Sequence, residues 1–212
     1  MPKKGIAIVA LGAVLILSAL LLFLHNRQED AQAGEEAEIL LQRVEAAIRE
    51  KPTVETFGPD EPTEDVMETM PADMPITYFD GYGYIGYLEI PSLWLKLPVM
   101  AEWDYSRLQI APCRQSGATF TDDLVIAAHN YNNHFGRLKN LNPGDTVTFT
   151  DMDGIVSTYA VTEVTTIAPD NVEAVIESGH DLVLYTCTPG GQTRVTVFCD
   201  RAEPAAEDTT AP

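Results

Sequence analysis

Residues 182–198 read LVLYTCTPGGQTRVTVF, two strand-like runs separated by a Pro-Gly-Gly turn. Leu182 to Cys187 carries aliphatic and aromatic side chains and no charge, as expected of a strand covered on both faces. Pro189-Gly190-Gly191 is the punctuation of a tight turn. The return run from Thr193 to Phe198 alternates, so Val195, Val197 and Cys199 share one face and Arg194, Thr196 and Phe198 share the other. The aliphatic set belongs in a core. Arg194 should therefore project toward a groove, and Cys199 should be a buried structural thiol, with a Cys113–Cys199 disulfide as the alternative.

Further strands surround this pair. Leu124 to Ala128 is continuously apolar and ends in His129. Upstream, Tyr84 to Ile90 is followed by a Pro91-Ser92 turn and a return from Leu93 to Met100. Downstream, Thr146 to Phe149 alternates, Asp153-Gly154 marks a hairpin turn, and Ile155 to Val164 follows. His134 to Leu141 reads as a helical turn. Short strands with turn signals between them imply a mostly β fold, a closed or nearly closed barrel over residues 78–203.

The N-terminal third differs in character. Residues 5–24, GIAIVALGAVLILSALLLFL, hold no charge and are long enough to cross a bilayer as a helix. They exceed the apolar core of a signal peptide, and the small-residue motif Ala31-Gln32-Ala33 lies well past their end, so an uncleaved anchor is expected. Lys3 and Lys4 put residues 1–4 in the cytoplasm and the remainder outside. Residues 25–77 read as an acidic stalk. Within it Leu40, Leu41, Val44, Ala47 and Ile48 mark an amphipathic helix over Glu35 to Glu50, and Pro52 to Pro75 reads as a Pro-rich linker, with a lid over a groove as its alternative. Residues 204–212 read as a disordered tail.

The formal charge of −19 argues against a nucleic-acid surface, which needs clustered Lys and Arg. The three cysteines are too few for a disulfide framework and lack metal-ligand spacing. His129 and His134 stand five apart, which does not place both rings on one strand face, so no metal and no cofactor is expected. His180 reads as a loop residue. What remains is a thiol (Cys187), an imidazole (His129) and a guanidinium (Arg194), each at a strand rim. A thiolate attacks a carbonyl, an imidazole moves its proton, and a guanidinium holds the oxyanion, so the set suits cysteine-based acyl transfer. Thr186 and Thr188, which flank Cys187, and Asn130, which follows His129, are the candidate substrate contacts.

From about Tyr84 to Arg201 the sequence resembles the sortases, membrane-anchored cysteine transpeptidases of Gram-positive surfaces. Ile85-Gly86-Tyr87-Leu88-Glu89-Ile90-Pro91 followed by Leu97-Pro98-Val99 is similar to the family's opening strand pair. Val125-Ile126-Ala127-Ala128-His129 is similar to its histidine strand, Leu182 to Cys187 to its Thr-Cys strand, and Arg194 to the arginine that begins its last strand. The resemblance implies an eight-stranded sortase barrel, with Cys187 as nucleophile, His129 as acid/base and Arg194 as substrate or oxyanion stabiliser. It implies cleavage of an LPXTG-like C-terminal sorting signal and transfer of the acyl group to an amine of a peptidoglycan precursor or a pilin lysine. Asn130-Tyr131 departs from the Gly-His-Arg that many members carry after the histidine, and the class is left open. A non-catalytic anchored peptide-binding or pilus-accessory barrel, or a hydrolytic cysteine peptidase, are the competing expectations.

Overall fold

A computed structural model describes residues 3–50, 73–171 and 173–202. One helix, α1 (Lys3–Glu50), leads into nine strands: β1 (Thr77–Phe79), β2 (Tyr82–Ile90), β3 (Leu95–Met100), β4 (Cys113–Ser116), β5 (Leu124–Ala127), β6 (Thr146–Asp151), β7 (Val156–Ile167), β8 (Leu182–Cys187) and β9 (Arg194–Arg201). A short helix, α2 (Glu173–Ile176), sits between β7 and β8. The strands pair in the order β1-β2-β3-β4-β5-β8-β9-β7-β6, and β2 also pairs with β6. That last pairing closes β2 through β9 into an eight-stranded barrel, with β1 as an added edge, as the sequence led us to expect. The barrel is mixed: β3–β4 and β5–β8 run parallel, the others antiparallel.

Period-two alternation fills the interior with Leu88, Ile90, Leu97, Val99, Leu124, Ile126, Phe149, Leu182, Leu184, Val197 and Cys199, all nearly or fully inaccessible. The unbroken apolar runs of β5 and β8 follow from cover on both faces. Leu124, Ile126, Leu182 and Leu184 point inward, while Val125 and Val183 lie with Phe198 beneath Val175 of α2. Cys113 and Cys199 are free and buried in different clusters, so no disulfide joins them, and burial pushes both thiols up to about 12.

The closing seam rests on Gly86. It adopts φ +144°, a β-bulge in β2, and faces Asp151 of β6; a Cβ there would lie 1.9 Å from the Thr150 carbonyl oxygen. Neither conformation nor space admits a side chain. Gly86→Ala is expected to cost at least about 3 kcal/mol, read as a lower denaturant midpoint or loss of folded protein on expression.

The apolar run and the stalk helix expected as separate units form one uninterrupted helix, and Gly34 does not break it. Large side chains from Ile8 to Leu24 are more than half exposed. Beyond them α1 lies against the barrel through Ala33, Ala37 and Val44, with Leu40, Ala47 and Ile48 packed around Tyr84, Met100, Cys113 and Met152. This is the predicted stripe, extended about two turns toward the N-terminus, where Ala33 and Ala37 permit close approach. Lys96–Glu45 (2.7 Å) and Arg43–Asp80 ion pairs flank it. The linker read over Pro52 to Pro75 falls largely, and the tail over residues 204–212 wholly, outside the described residues. The turn read over His134 to Leu141 contains a single turn of 3-10 helix, Leu138–Asn140.

Candidate active site

Three neighbouring strands set the position of the candidate residues. β5 and β8 run in parallel register with Ala127 beside Tyr185. The backbone continues that pairing past the strand end: the Ala128 N–H donates to the Tyr185 carbonyl at 3.2 Å, and Thr186 Oγ1 donates to the Ala128 carbonyl at 2.9 Å. Two residues on from Ala127 and Tyr185 are His129 and Cys187. Across the β8–β9 hairpin Cys187 pairs directly with Arg194. Cys187 and Arg194 thus stand at the ends of β8 and β9 on the same, outward-facing parity as Val183 and Phe198, and His129 lies two residues beyond the end of β5.

The hairpin turn is braced. Thr188 N–H donates to the Thr193 carbonyl (3.0 Å), Thr193 N–H to Thr188 Oγ1 (3.2 Å), and Gly191 N–H to the Thr188 carbonyl (2.7 Å). Gly190 and Gly191 both adopt positive φ, which this turn requires. Arg194 curls over it, donating from Nη1 to the Gly191 carbonyl at 2.9 Å and the Thr193 carbonyl at 3.1 Å.

Cys187 and Arg194 open onto one cavity of about 220 Å³, whose lining is mainly apolar and includes Trp103, Tyr105, Ile167, Val175 and Ile176. Cys187 is half-buried, unlike the enclosed Cys113 and Cys199. Tyr185, in the same lining, donates from its hydroxyl to Gln115 Oε1 at 2.9 Å. Burial pushes its phenol up to about 12, opposed by the positive charge of Arg194.

His129 opens instead onto a second cavity, shared with Asn130, Tyr131 and residues Phe23 to Asp30 of α1. Ala128 lines the first cavity and His129 the second, so the boundary between them falls at this residue. The imidazole stacks on Tyr131, centroids 4.2 Å apart and rings 16° from parallel, and its Nδ1 is buried with no hydrogen-bond partner among the described residues. Of the expected site residues, Cys187, Arg194 and Thr186 share a cavity, and His129 and Asn130 share its neighbour. The hydroxyls of Thr186 and Thr188 are both engaged in backbone hydrogen bonds. His180 is a loop residue whose Nδ1 lies 2.7 Å from Asp200 Oδ1.

Sequence reasoning did not find the aromatic wall of Trp103 and Tyr105, which lies in an irregular segment between β3 and β4, nor the approach of α1 to His129. It also gave His134 no role. That residue is fully buried, and burial pushes its imidazole down to about 4; the neighbouring His129 adds to the shift, while the Ala33 carbonyl, close by but outside hydrogen-bond geometry, opposes it. Because the folded value lies below the ordinary 6.5, the unfolded chain binds a proton between about 4 and 6.5 that the folded chain excludes. Stability is therefore complete above about 6.5 and falls as pH drops toward 4, by on the order of 3 kcal/mol. Urea midpoints at pH 7.5 and 4.5 should differ accordingly, and His134→Leu should flatten that difference.

Comparison with known proteins places this geometry in context. The sortase-domain family model matches residues 88–202, more than half of the 212 residues. Among solved structures, sortase C1 from Streptococcus suis is 28% identical, with 59% of this chain covering 76% of that one at a TM-score of 0.50. Sortase C1 from Streptococcus agalactiae is 27% identical, with 60% of this chain covering 72% of that one at a TM-score of 0.52. Clostridium perfringens sortase C, solved with the C-terminal cell wall sorting motif, shares the fold at 23% identity, a TM-score of 0.50, and coverage of 57% of this chain and 71% of that one. No curated protein matches.

Proposed function

The chain belongs to the sortase family, and on that premise we propose that it is a membrane-anchored cysteine transpeptidase acting on C-terminal sorting signals of surface proteins. The observation that carries the reading is that Cys187, the one half-buried thiol, pairs across the hairpin with Arg194 on one mainly apolar cavity, with His129 just past the end of the adjoining strand.

In this reading the Cys187 thiolate attacks the scissile carbonyl of an LPXTG-like segment, forming a carbon–sulfur bond. Arg194 releases its turn carbonyls and turns its guanidinium to the oxyanion or to a substrate carbonyl. Collapse breaks the amide, and His129 gives its proton to the departing amine. An amine of a peptidoglycan precursor or a pilin then attacks the thioacyl carbon, loses its proton to His129, and restores the Cys187 thiolate. The β5–β8 register carries the His129 and Cys187 backbones to one strand spacing, about 4.8 Å, and catalytic contacts commonly tighten only with substrate bound. Trp103, Tyr105 and Ile176 offer the apolar surface for a leucine side chain of the signal, while Thr186, Thr188 and Asn130 border the scissile bond.

Residues 5–24 of α1 would span the bilayer, with Lys3 and Lys4 inside and the barrel outside. Asp30 follows Leu24 by about 9 Å of helix rise, so the cleft would sit close to the membrane surface. Incubating the protein with LPXTG-like peptides and an amine should give cleaved peptide and an amide-linked product, with aminolysis rising over hydrolysis as the amine is raised. Cleavage that ignores the amine would mark a hydrolytic peptidase. Bound but uncleaved peptide would mark a non-catalytic module.

A further inference from the structure

Nothing hydrogen-bonds to Nδ1 of His129 among the described residues, so no third group orients this imidazole in the way a carboxylate orients the base of a catalytic triad. Its orientation comes from packing. The ring lies flat on Tyr131, Tyr131 meets the edge of His134 at 5.5 Å and 64°, and His134 is sealed from solvent at the place where α1 brings Ala33 against the barrel. The segment folds back on itself: Phe135 N–H donates to the His129 carbonyl (3.2 Å), and His134 and Gly136 N–H both donate to the Tyr131 carbonyl (3.0 and 2.8 Å).

This turn is also gripped from outside, by a single residue of α1. Asp30 Oδ1 accepts from Asn133 N–H and Oδ2 from Asn132 Nδ2, while its backbone carbonyl accepts from Asn133 Nδ2, each at 3.0 Å. Four residues on, Gly34 lets Asn133 approach so closely that a Cβ would lie 2.8 Å from its Nδ2. The carboxylates of Glu29 and Asp30 are near enough to Tyr131 to add to the upward shift of its phenol, which burial begins.

We propose that the anchor helix is part of the active site, and that Asp30 is a positioning residue that fixes His129 through the Tyr131–Asn133 turn. The inference rests on the transpeptidase reading only for its turnover assay. Helix and barrel form one unit, so moving α1 moves the Tyr131 ring and the imidazole stacked on it. A displacement near 1 Å at a catalytic base costs up to about 100-fold in rate.

The test uses the full chain in detergent. Asp30→Ala should lower kcat for an LPXTG-like peptide by about 10- to 100-fold with peptide KM nearly unchanged, and should shift the pH profile of kcat/KM. Asp30→Asn, which keeps an acceptor for the turn, should recover most of the loss. Tyr131→Leu should mimic Asp30→Ala, whereas Tyr131→Phe keeps the stack and the rate. Gln42→Ala, on an exposed part of α1, is the control. The rate of Cys187 alkylation by iodoacetamide against pH reads the thiol–imidazole coupling without any substrate. If wild-type protein turns over no peptide, the transpeptidase reading fails, and the alkylation profiles of wild type and Asp30→Ala still decide this one. Coincident alkylation profiles, or an Asp30→Ala protein with wild-type kcat and pH profile, would overturn the proposal.

Discussion

Cys187→Ala is expected to abolish cleavage and transfer, with kcat/KM falling on the order of 10⁴-fold or more while the barrel stays folded. The expectation follows from the unequal surroundings of the three thiols. Cys113 and Cys199 are fully buried, and desolvation pushes both up to about 12, so neither is a nucleophile near neutral pH. Cys187 alone is partly open, at the mouth of a cavity it shares with Arg194. Removing its sulfur takes away little packing and, in the proposed mechanism, the whole nucleophile. Cys199→Ala should do the reverse: activity per folded molecule persists, and stability falls by about 1–2 kcal/mol for the lost buried sulfur. Steady-state assays with matched denaturation curves separate the two. If Cys187→Ala kept wild-type turnover, sulfur chemistry at this position would be excluded.

Arg194→Ala should lower kcat by about 10²- to 10³-fold, the cost expected for losing the oxyanion donor of the proposed mechanism. Arg194 is the direct β-pair partner of Cys187 and lines the same cavity, so in the proposed mechanism its guanidinium, once released from the turn, would serve a tetrahedral centre formed on that sulfur. In the present state it donates to the carbonyls of Gly191 and Thr193, both belonging to the hairpin turn. Arg194→Lys should recover little, because an ammonium on a flexible stem cannot reproduce the planar fork. The thioacyl step should be affected more than peptide binding. Burst kinetics would show this as a slow acylation phase at unchanged peptide affinity, and an Arg194→Lys protein with full activity would speak for a simple charge effect.

Much of the barrel was legible because strand parity and cover leave a clear trace. The uninterrupted runs of β5 and β8 announced cover on two faces, and Val175 of α2 with Phe198 supplies the outer layer. The alternation of β9 placed Val197 and Cys199 in the core as expected. Thr196 and Phe198, on the face shared with Arg194, are buried as well, Phe198 in the outer layer with Val175. Strands β1 and β4 are three and four residues long, too short for a periodic signal. Trp94 occupies a left-handed conformation that its residue type does not announce, and it ends a 3-10 turn where a continuous return strand was expected.

The site was legible as residue types and not as geometry. His129, Cys187 and Arg194 each stand at a strand end, but which cavity each faces depends on registers between strands far apart in the chain. The role of α1 was hidden for a different reason. An apolar run followed by Glu29, Asp30 and Gly34 looks like an anchor that ends and a stalk that begins. In the folded chain the helix continues, Asp30 grips the turn after His129, and Gly34 provides the close approach. Helical periodicity reports a face and is silent on what that face meets.

The most direct measurement is the mass of the intact protein after brief exposure to a sorting-signal peptide without amine, followed by peptide mapping. The mechanism predicts an added mass equal to the acyl fragment, carried on Cys187, released by hydroxylamine and absent in Cys187→Ala. Peptide cleaved with the acyl group on another residue, or cleaved at a normal rate by Cys187→Ala, would contradict it.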